Sequence, residues 1–156
     1  MPDFDGRLEA TGRVALVTSR YHERITGRLL DGARQACAEA GVADGDVDVL
    51  WVPGAFELGV AVAACARSGR YAAVVALGAV VRGDTPHFDY VAGETSRALM
   101  DAATATLVPV GMGLLTCDTM EQAVARAGGD AGNKGQEAAE AALRTASLLR
   151  RAGVIG

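Results

Sequence analysis

The chain has 156 residues, of which 50% are hydrophobic and 22% are charged, and its formal net charge is −4. A chain of this length buries about 68–70% of its unfolded surface in one core, and the composition excludes an intrinsically disordered chain. The acidic balance and the scattered basic residues provide no surface for binding a phosphate backbone, so we expect no nucleic-acid partner.

The sequence predicts a cytoplasmic protein with no membrane partner. The first residues, Met1 to Glu9, lack the basic and apolar regions of a secretory signal. The longest apolar stretch, Tyr71 to Val81, is shorter than the roughly 18 residues that cross a bilayer. Wide spacings of Cys37, Cys65 and Cys117 fit neither a zinc site nor a disulfide framework, and we interpret Cys37 and Cys65 as small core residues.

Short apolar runs alternate with helical patterns in the first half of the chain. The run Val14 to Val17 precedes apolar positions at helical spacing from Ile25 to Ala40, which predicts a strand and then a helix. A second run, Val47 to Val52, precedes a helical pattern from Phe56 to Ser68. The third run, Ala72 to Val81, is apolar throughout, as is typical of a central parallel strand covered on both faces.

The second half continues the alternation. Asp118 or Thr119 caps a helix in this prediction, with Glu121 and Gln122 placed for a capping box. The predicted elements are a helix from Asp89 to about Ala105, a strand from Val108 to Leu115, a helix ending at Gly128 and Gly129, a short loop from Gly132 to Gly135, and a last helix from Gln136 to Arg151.

This order predicts an α/β chain with a flavodoxin-like, three-layer α/β/α fold and a four-stranded parallel sheet. We expect residues 1–156 to form one domain, with residues 1–12 as an N-terminal arm. Ligands of such sheets bind beyond the carboxyl ends of the strands. Four segments should therefore line the site: Ser19 to His22, Pro53 to Glu57, Gly78 to Asp89, and Met112 to Asp118.

Both histidines of the chain fall in these segments. His87 is a candidate proton shuttle, since imidazole titrates near working pH; the alternative is a helix-start residue without a partner. His22 receives no role.

Glu57 stands at the start of a predicted helix. It is placed either to hold adjacent hydroxyl groups of a polyol or simply to interact favourably with the dipole of that helix. Tyr21 and Phe56 offer aromatic surfaces for stacking on a flat heterocycle, although Phe56 is equally compatible with a core position.

A phosphate site is predicted where Gly83, Asp84 and Thr85 open a helix after the third strand. The cations Arg126 and Lys134 pose a geometric problem, because Arg126 lies about seven residues into its helix, roughly 10 Å from the carboxyl end of the preceding strand. These cations either neutralise the dipole of that helix or complete the site of a neighbouring subunit.

Three segments resemble the lumazine synthase family. They are Trp51 to Leu58, Ala76 to Tyr90, and Glu121 to Gly128 continued through Gly132 to Gly135. The resemblance implies condensation of 5-amino-6-(D-ribitylamino)uracil with 3,4-dihydroxy-2-butanone 4-phosphate, the penultimate step of riboflavin synthesis, without metal or organic cofactor. Two alternatives stay open on the residues alone: a non-catalytic flavin-binding carrier and a shell protein of the same fold.

The resemblance also implies residue roles. His87 would move protons, and Met112 would close the pocket from a neighbouring subunit. The remaining roles are stacking on the pyrimidine by Tyr21, ribityl contacts by Ala55, Phe56 and Glu57, backbone contacts to the heterocycle by Ala79, Val80 and Val81, phosphate contacts by Asp84, Thr85 and a neighbour's Arg126, and assistance in binding by Lys134.

The resemblance finally implies a homo-oligomer, a pentamer whose active sites are shared between adjacent subunits. The compact segment from Gly128 to Gly135 favours further assembly of pentamers into a closed icosahedral shell. The segment Asp3 to Thr11 could add an edge strand to a neighbour's sheet. Riboflavin synthase is the candidate protein partner.

Overall fold

A parallel sheet of four strands forms the centre of the fold in the computed structural model, which describes residues 1–155. The sheet order is β2-β1-β3-β4, the predicted flavodoxin-like order. The strands are β1 (Val14–Ser19), β2 (Val47–Val52), β3 (Ala73–Val81) and β4 (Val110–Cys117). Because the chain order reverses at β1 and β3, a ligand crevice is expected at their carboxyl ends.

Helices cover both faces of this sheet. One buried cluster joins α1 and α5 to the sheet, and a second joins α2 and α3 to the opposite face. Among residues 1–155, none of the helices combines the length and the apolarity that a membrane span requires. The helices are α1 (Glu23–Glu39), α2 (Leu58–Arg67), α3 (His87–Thr106), α4 (Met120–Arg126) and α5 (Lys134–Arg151).

The central strand is the one that the sequence indicated. In β3, the eight residues from Ala73 to Val80 are buried, and only Val81 is partly exposed. Its neighbours β1 and β4 both pair with it in parallel. Continuous burial on both faces explains why this strand is apolar throughout.

Several predicted boundaries were wrong. The strand β1 extends to Ser19 and not only to Val17, and the helix α5 begins at Lys134, two residues before the predicted Gln136. The helix α3 begins at His87, two residues before the predicted Asp89, so His87 lies in the first helical turn and not in a loop. The strand β4 is displaced by two residues from the predicted range, because Pro109 cannot donate a ladder hydrogen bond. The segment between α4 and α5 forms a two-stranded ribbon of β5 (Ala127–Gly129) and β6 (Gly132–Asn133), where the sequence predicted a helix end followed by a loop. These glycine-rich residues carry no apolar pattern that would indicate strands.

The sequence offered Asp118 or Thr119 as the cap of α4, and the structure confirms Thr119. Thr119, not Asp118, is the N-cap: its side chain accepts a hydrogen bond from the Gln122 backbone N–H at 3.2 Å. The Gln122 side chain in turn accepts from the backbone N–H groups of Thr119 and Asp118. A capping box requires Glu or Gln at the third helical position, which selects Gln122 over Glu121.

Glycine permits a close approach of α5 to the rest of the fold. A Cβ atom at Gly135, in the first turn of α5, would collide with the Leu29 carbonyl of α1, and one at Gly111 in β4 would collide with the Ala138 carbonyl of α5. These contacts fix the start of α5, and therefore the position of Lys134, relative to β4.

The predicted burial of the cysteines is confirmed. Cys37 and Cys65 are buried and unpaired, as is Cys117. Burial raises the pKa of the Cys37 thiol to about 11, so this group stays protonated and inert near neutral pH.

The N-terminal segment lies against α5 of its own chain. The backbone N–H of Arg7 donates to Ser147 Oγ at 3.0 Å, and Ser147 Oγ donates to Glu9 at 2.6 Å. Leu8 packs against the core. Residues 1–13 contain no strand in the described part of the chain.

A polar network closes the amino-terminal end of the sheet, opposite the predicted site. Asp48 of β2 accepts hydrogen bonds from the Tyr71 hydroxyl at 2.7 Å, from Arg13 at 2.8 Å and from Arg70 at 3.2 Å. The hydrogen bond from Tyr71, followed by that from Arg13, lowers the pKa of the Asp48 carboxyl below its ordinary value of 3.8.

We expect Asp48→Asn to lower the melting temperature near neutral pH by several degrees. A carboxyl whose folded-state pKa is depressed stabilises the fold above its unfolded pKa, and this stabilisation is lost as pH falls through the folded value. The difference in melting temperature from the unmodified protein should therefore shrink below about pH 4. Thermal melts across this pH range test it, with Asp31→Asn on the exposed face of α1 as control. A difference that does not vary with pH would contradict the assignment.

Candidate active site

A crevice of about 400 Å³ opens at the carboxyl ends of the sheet strands, where the topology predicts a ligand site. The loops after β1 and β2 are held together there, because the Arg20 N–H donates to the Val52 carbonyl at 2.8 Å and the Tyr21 N–H to the Pro53 carbonyl at 3.1 Å. Seven predicted site residues line this crevice: Tyr21, Ala55, Ala79, Val80, Val81, Thr85 and His87. We call it the histidine crevice.

The aromatic wall of the histidine crevice comes from the loop after β1. The Tyr21 side chain is 67% exposed, and its ring lies 4.4 Å from the His22 ring at an interplanar angle of 57°. His22 has the left-handed backbone angle φ 61°, which is uncommon outside glycine. This turn directs the chain into α1 while leaving the face of Tyr21 open to the crevice.

His87 and Thr85 stand at the N-terminus of α3. His87 is the first residue of the helix, and its backbone N–H donates to Thr85 Oγ1 at 3.4 Å. Both side chains are exposed. The first N–H groups of a helix favour an anion, so the crevice combines an imidazole with an anion-binding helix start.

Six of the predicted residues lie outside the lining of the histidine crevice in the part of the chain that the structure describes, and three of these belong to the segments that follow β2 and β3. Phe56 and Glu57 belong to a short 3₁₀ helix, Ala55–Glu57, that precedes α2. Phe56 points outward and is 62% exposed, whereas the Glu57 carboxylate folds back towards Gly54. Asp84 is exposed in the loop before α3. The predicted core alternative for Phe56 is therefore wrong.

The other predicted residues line a separate opening of about 300 Å³. We call it the arginine crevice. It lies between β4 and the helices α4 and α5, and it contains Met112, Arg126 and Lys134 together with Gln122, Thr116 and three residues at the end of β4. The Met112 side chain is 52% exposed on the edge strand.

Among the described residues, each cation of the arginine crevice makes one polar side-chain contact. Arg126 is the last residue of α4, and its Nη1 donates to the Gln122 carbonyl at 3.1 Å. Lys134 Nζ lies 3.2 Å from a carboxylate oxygen of Glu137, one turn along α5. The contact with Gln122 is the dipole-neutralising geometry that the sequence left open. It leaves the Nε and Nη2 groups of Arg126 to bind an anion.

A third cation, Arg82, follows β3 directly but is already paired. Its Nε donates to Asp118 Oδ1 at 2.8 Å, and its Nη1 lies 3.4 Å from Asp89 Oδ1. The hydrogen bond with Asp118 raises the pKa of the Arg82 guanidinium. Since two carboxylates already pair with this cation, Arg82 is not available to bind an anion in the histidine crevice. Sequence reasoning considered Asp118 as a helix cap and gave Arg82 no role, and it missed their pairing because that depends on a contact across 36 positions.

Comparison with known proteins finds relatives along nearly the whole chain. The family model described as 6,7-dimethyl-8-ribityllumazine synthase matches residues 11–150. A protein of that name from Gemmatimonas aurantiaca is 56% identical over 153 residues, which cover 97% of this chain and 93% of the relative. A second protein of that name, from an Anaeromyxobacter species, is 53% identical over 150 residues, covering 96% and 92%.

Proposed function

Because this chain belongs to the 6,7-dimethyl-8-ribityllumazine synthase family, we propose that its two crevices are the halves of one active site formed between adjacent copies. The histidine crevice of one copy would face the arginine crevice of the next. The observation that carries this proposal is the separation of His87 from Arg126 and Lys134 into two different openings of the same chain.

The chain is a transferase that condenses 5-amino-6-(D-ribitylamino)uracil with 3,4-dihydroxy-2-butanone 4-phosphate in riboflavin biosynthesis. The 5-amino group attacks the ketone carbonyl, and loss of water forms an imine. Elimination of phosphate leaves an enol that tautomerises to a new ketone, and attack of the ribityl-bearing nitrogen on this carbonyl closes the ring with loss of another water. Because the amine is already a competent nucleophile, most of the acceleration comes from holding the two substrates together.

In this proposal the histidine crevice holds the uracil. The exposed face of Tyr21 stacks on the pyrimidine, and the backbone of Ala79, Val80 and Val81 meets the polar edge of the heterocycle. Ala55, Phe56 and Glu57 hold the ribityl chain, where the Glu57 carboxylate accepts hydrogen bonds from hydroxyl groups. Because Phe56 and Glu57 lie outside the crevice lining, they would contact the far end of the ribityl chain.

The phosphate would bind at the junction of the two crevices. The start of α3 supplies N–H groups from Asp84 and Thr85, while Arg126 of the adjacent copy supplies a charge-assisted pair of hydrogen bonds. Lys134 of that copy adds a second cation, and its Met112 covers the ring. This division gives the phosphate the guanidinium that Arg82, held by its carboxylates, does not provide.

His87 would then transfer protons at the reacting atoms. Imine formation, elimination and ring closure each move a proton to or from nitrogen or oxygen, and an imidazole, which can both donate and accept a proton, suits both directions. Its place beside the phosphate site puts the imidazole where the leaving group departs.

We propose a pentamer as the assembly, since a heterologous contact that closes gives every copy one donor face and one acceptor face. The compact connection through β5 and β6 supports packing of pentamers into an icosahedral shell.

Riboflavin synthase, the enzyme of the following step, is the proposed protein partner. Unpaired cysteines support a reducing compartment, the cytoplasm.

Native mass spectrometry tests the assembly together with a product assay. We expect a mass of five chains, or a multiple of five, and formation of the lumazine when both substrates are mixed with the protein. Dilution that separates the copies should abolish the activity, because a single chain holds only half of each site. A monomer with full activity would contradict the shared site, whereas a lone pentamer would contradict only the shell.

A further inference from the structure

Arg82 joins segments that carry the two crevices. Its guanidinium pairs with Asp118 at 2.8 Å and with Asp89 at 3.4 Å, and its central carbon lies 4.3 Å from the centre of the Phe88 ring. The Arg82 backbone N–H also donates to the Cys117 carbonyl at 2.9 Å. The side chain is 45% exposed, yet both its charged edge and its flat face are engaged.

These contacts lie directly beside the proposed proton-transfer residue. Phe88 and Asp89 are the second and third residues of α3, immediately after His87. Asp118 immediately precedes Thr119, the N-cap of α4. Arg82 therefore fastens the first turn of α3 to the start of α4, across the carboxyl ends of β3 and β4.

Direct binding of phosphate by Arg82 is disfavoured by the same contacts. A phosphate would have to compete with two carboxylates for the guanidinium, and leaving Asp118 and Asp89 would free two negative charges close to the anion. Stacking on Phe88 further holds the plane of the guanidinium in its present orientation. The geometry favours a role through neighbouring groups over a role as a ligand.

We propose that Arg82 is a positioning residue for His87. By holding Asp118, Asp89 and the Phe88 ring, it fixes the first turn of α3 and so the place of the imidazole relative to the bound substrates. The inference rests on the proposed function, because it requires His87 to transfer protons in the reaction. Small displacements of a catalytic group are costly in rate, so this arrangement affects kcat more than substrate binding.

A double-mutant cycle with His87 tests this proposal on the assembled protein. We expect Arg82→Met to lower kcat about tenfold, with both KM values changing less than about twofold. In the His87→Ala background, Arg82→Met should produce no further loss, because the group that it positions is absent. Arg82→Lys, which keeps the charge but loses the fork, should recover part of the rate.

Arg70→Met is the matched control. Arg70 pairs with Asp48 at 3.2 Å and lies 5.7 Å from the Tyr71 ring centre, at the opposite end of the sheet. Its replacement removes an ion pair and a cation–π contact of the same types, and kcat should stay unchanged. If Arg82→Met fails to assemble, Asp89→Asn repeats the test, since it removes one contact and keeps the pair with Asp118.

The outcomes separate the inference from the proposed function. An equal loss of kcat with and without His87 would refute positioning in favour of a general structural effect. A raised KM for the butanone phosphate at unchanged kcat would make Arg82 a phosphate ligand and also refute it. A normal kcat for Arg82→Met together with a lowered kcat for His87→Ala would refute this inference alone. Normal activity of His87→Ala would refute the proton-transfer role on which the inference rests, whereas failure of the unmodified protein to form the lumazine would refute the proposed function itself.

Discussion

Arg126→Ala should raise the KM for 3,4-dihydroxy-2-butanone 4-phosphate by about tenfold to hundredfold, while the KM for the uracil changes by less than about threefold. A charge-assisted hydrogen bond contributes about 1.5–3 kcal/mol, which converts to this range. Within its own chain, Arg126 donates only to the Gln122 carbonyl, so its removal should leave the fold intact. Steady-state kinetics with each substrate varied in turn provides the measurement.

Arg126→Lys is the matched variant for this prediction. Lysine keeps the positive charge at the end of α4 but loses the planar fork that fits a phosphate, so the KM should rise by less than in Arg126→Ala. If both variants raise the KM of the two substrates equally, Arg126 is not the phosphate ligand. Circular dichroism and native mass should show that both variants fold and assemble normally.

His87→Ala should lower kcat by about tenfold to hundredfold and leave both KM values nearly unchanged. General acid–base catalysis contributes about this much or more, while the stacking, ribityl and phosphate contacts that position the substrates remain. The imidazole is exposed at the first position of α3, so its removal opens no cavity in the core. Single-turnover rates compared with steady-state rates establish that the loss is in the chemical steps.

The other histidine supplies the control for this second prediction. His22→Asn removes an imidazole from the same crevice while keeping a residue that tolerates the left-handed backbone at this position. Its kcat should remain within about threefold of the unmodified protein. A normal kcat for His87→Ala, or equal losses in the two histidine variants, would remove the assignment of proton transfer to His87.

Local patterns predicted most of the fold. The range Val47–Val52 of β2 was predicted without error, and the apolar run of β3 indicated its central position because burial on both faces leaves no polar alternation. The start of α3 and the β5–β6 ribbon were missed. The start of α3 gives no such signal, because its N-cap, Pro86, provides no capping side chain. The ribbon gives none either, because glycines such as Gly129 show no apolar pattern.

The site was predictable where strand ends determine it. Tyr21 follows β1, Ala79 lies near the end of β3 and His87 follows that strand at the start of α3, and the parallel sheet brings these residues together. The Arg82–Asp118 pair was not predictable, because it depends on the conformation of two loops 36 residues apart. Arg126 was expected to lie away from the histidine crevice because of its position along α4, but the surface that it would face in the proposed assembly belongs to a second copy, which no pattern within one sequence describes.

Mixing two impaired variants tests the shared active site most directly. His87→Ala chains keep an intact arginine crevice, and Arg126→Ala chains keep an intact histidine crevice. The butanone phosphate is supplied well below the raised KM of Arg126→Ala, and native mass spectrometry verifies the exchange of subunits. Mixing His87→Ala with the double variant His87→Ala/Arg126→Ala is the control, because no complete site can form there.

In an equal mixture of the two single variants, random placement around a closed ring gives about a quarter of the interfaces both intact halves. The account predicts that activity rises after mixing to about a quarter of that of the unmodified protein, and that the control mixture stays at the low average of its two separate variants. Activity that remains at the average of the two separate variants, after verified subunit exchange, would contradict it and place the whole site within one chain.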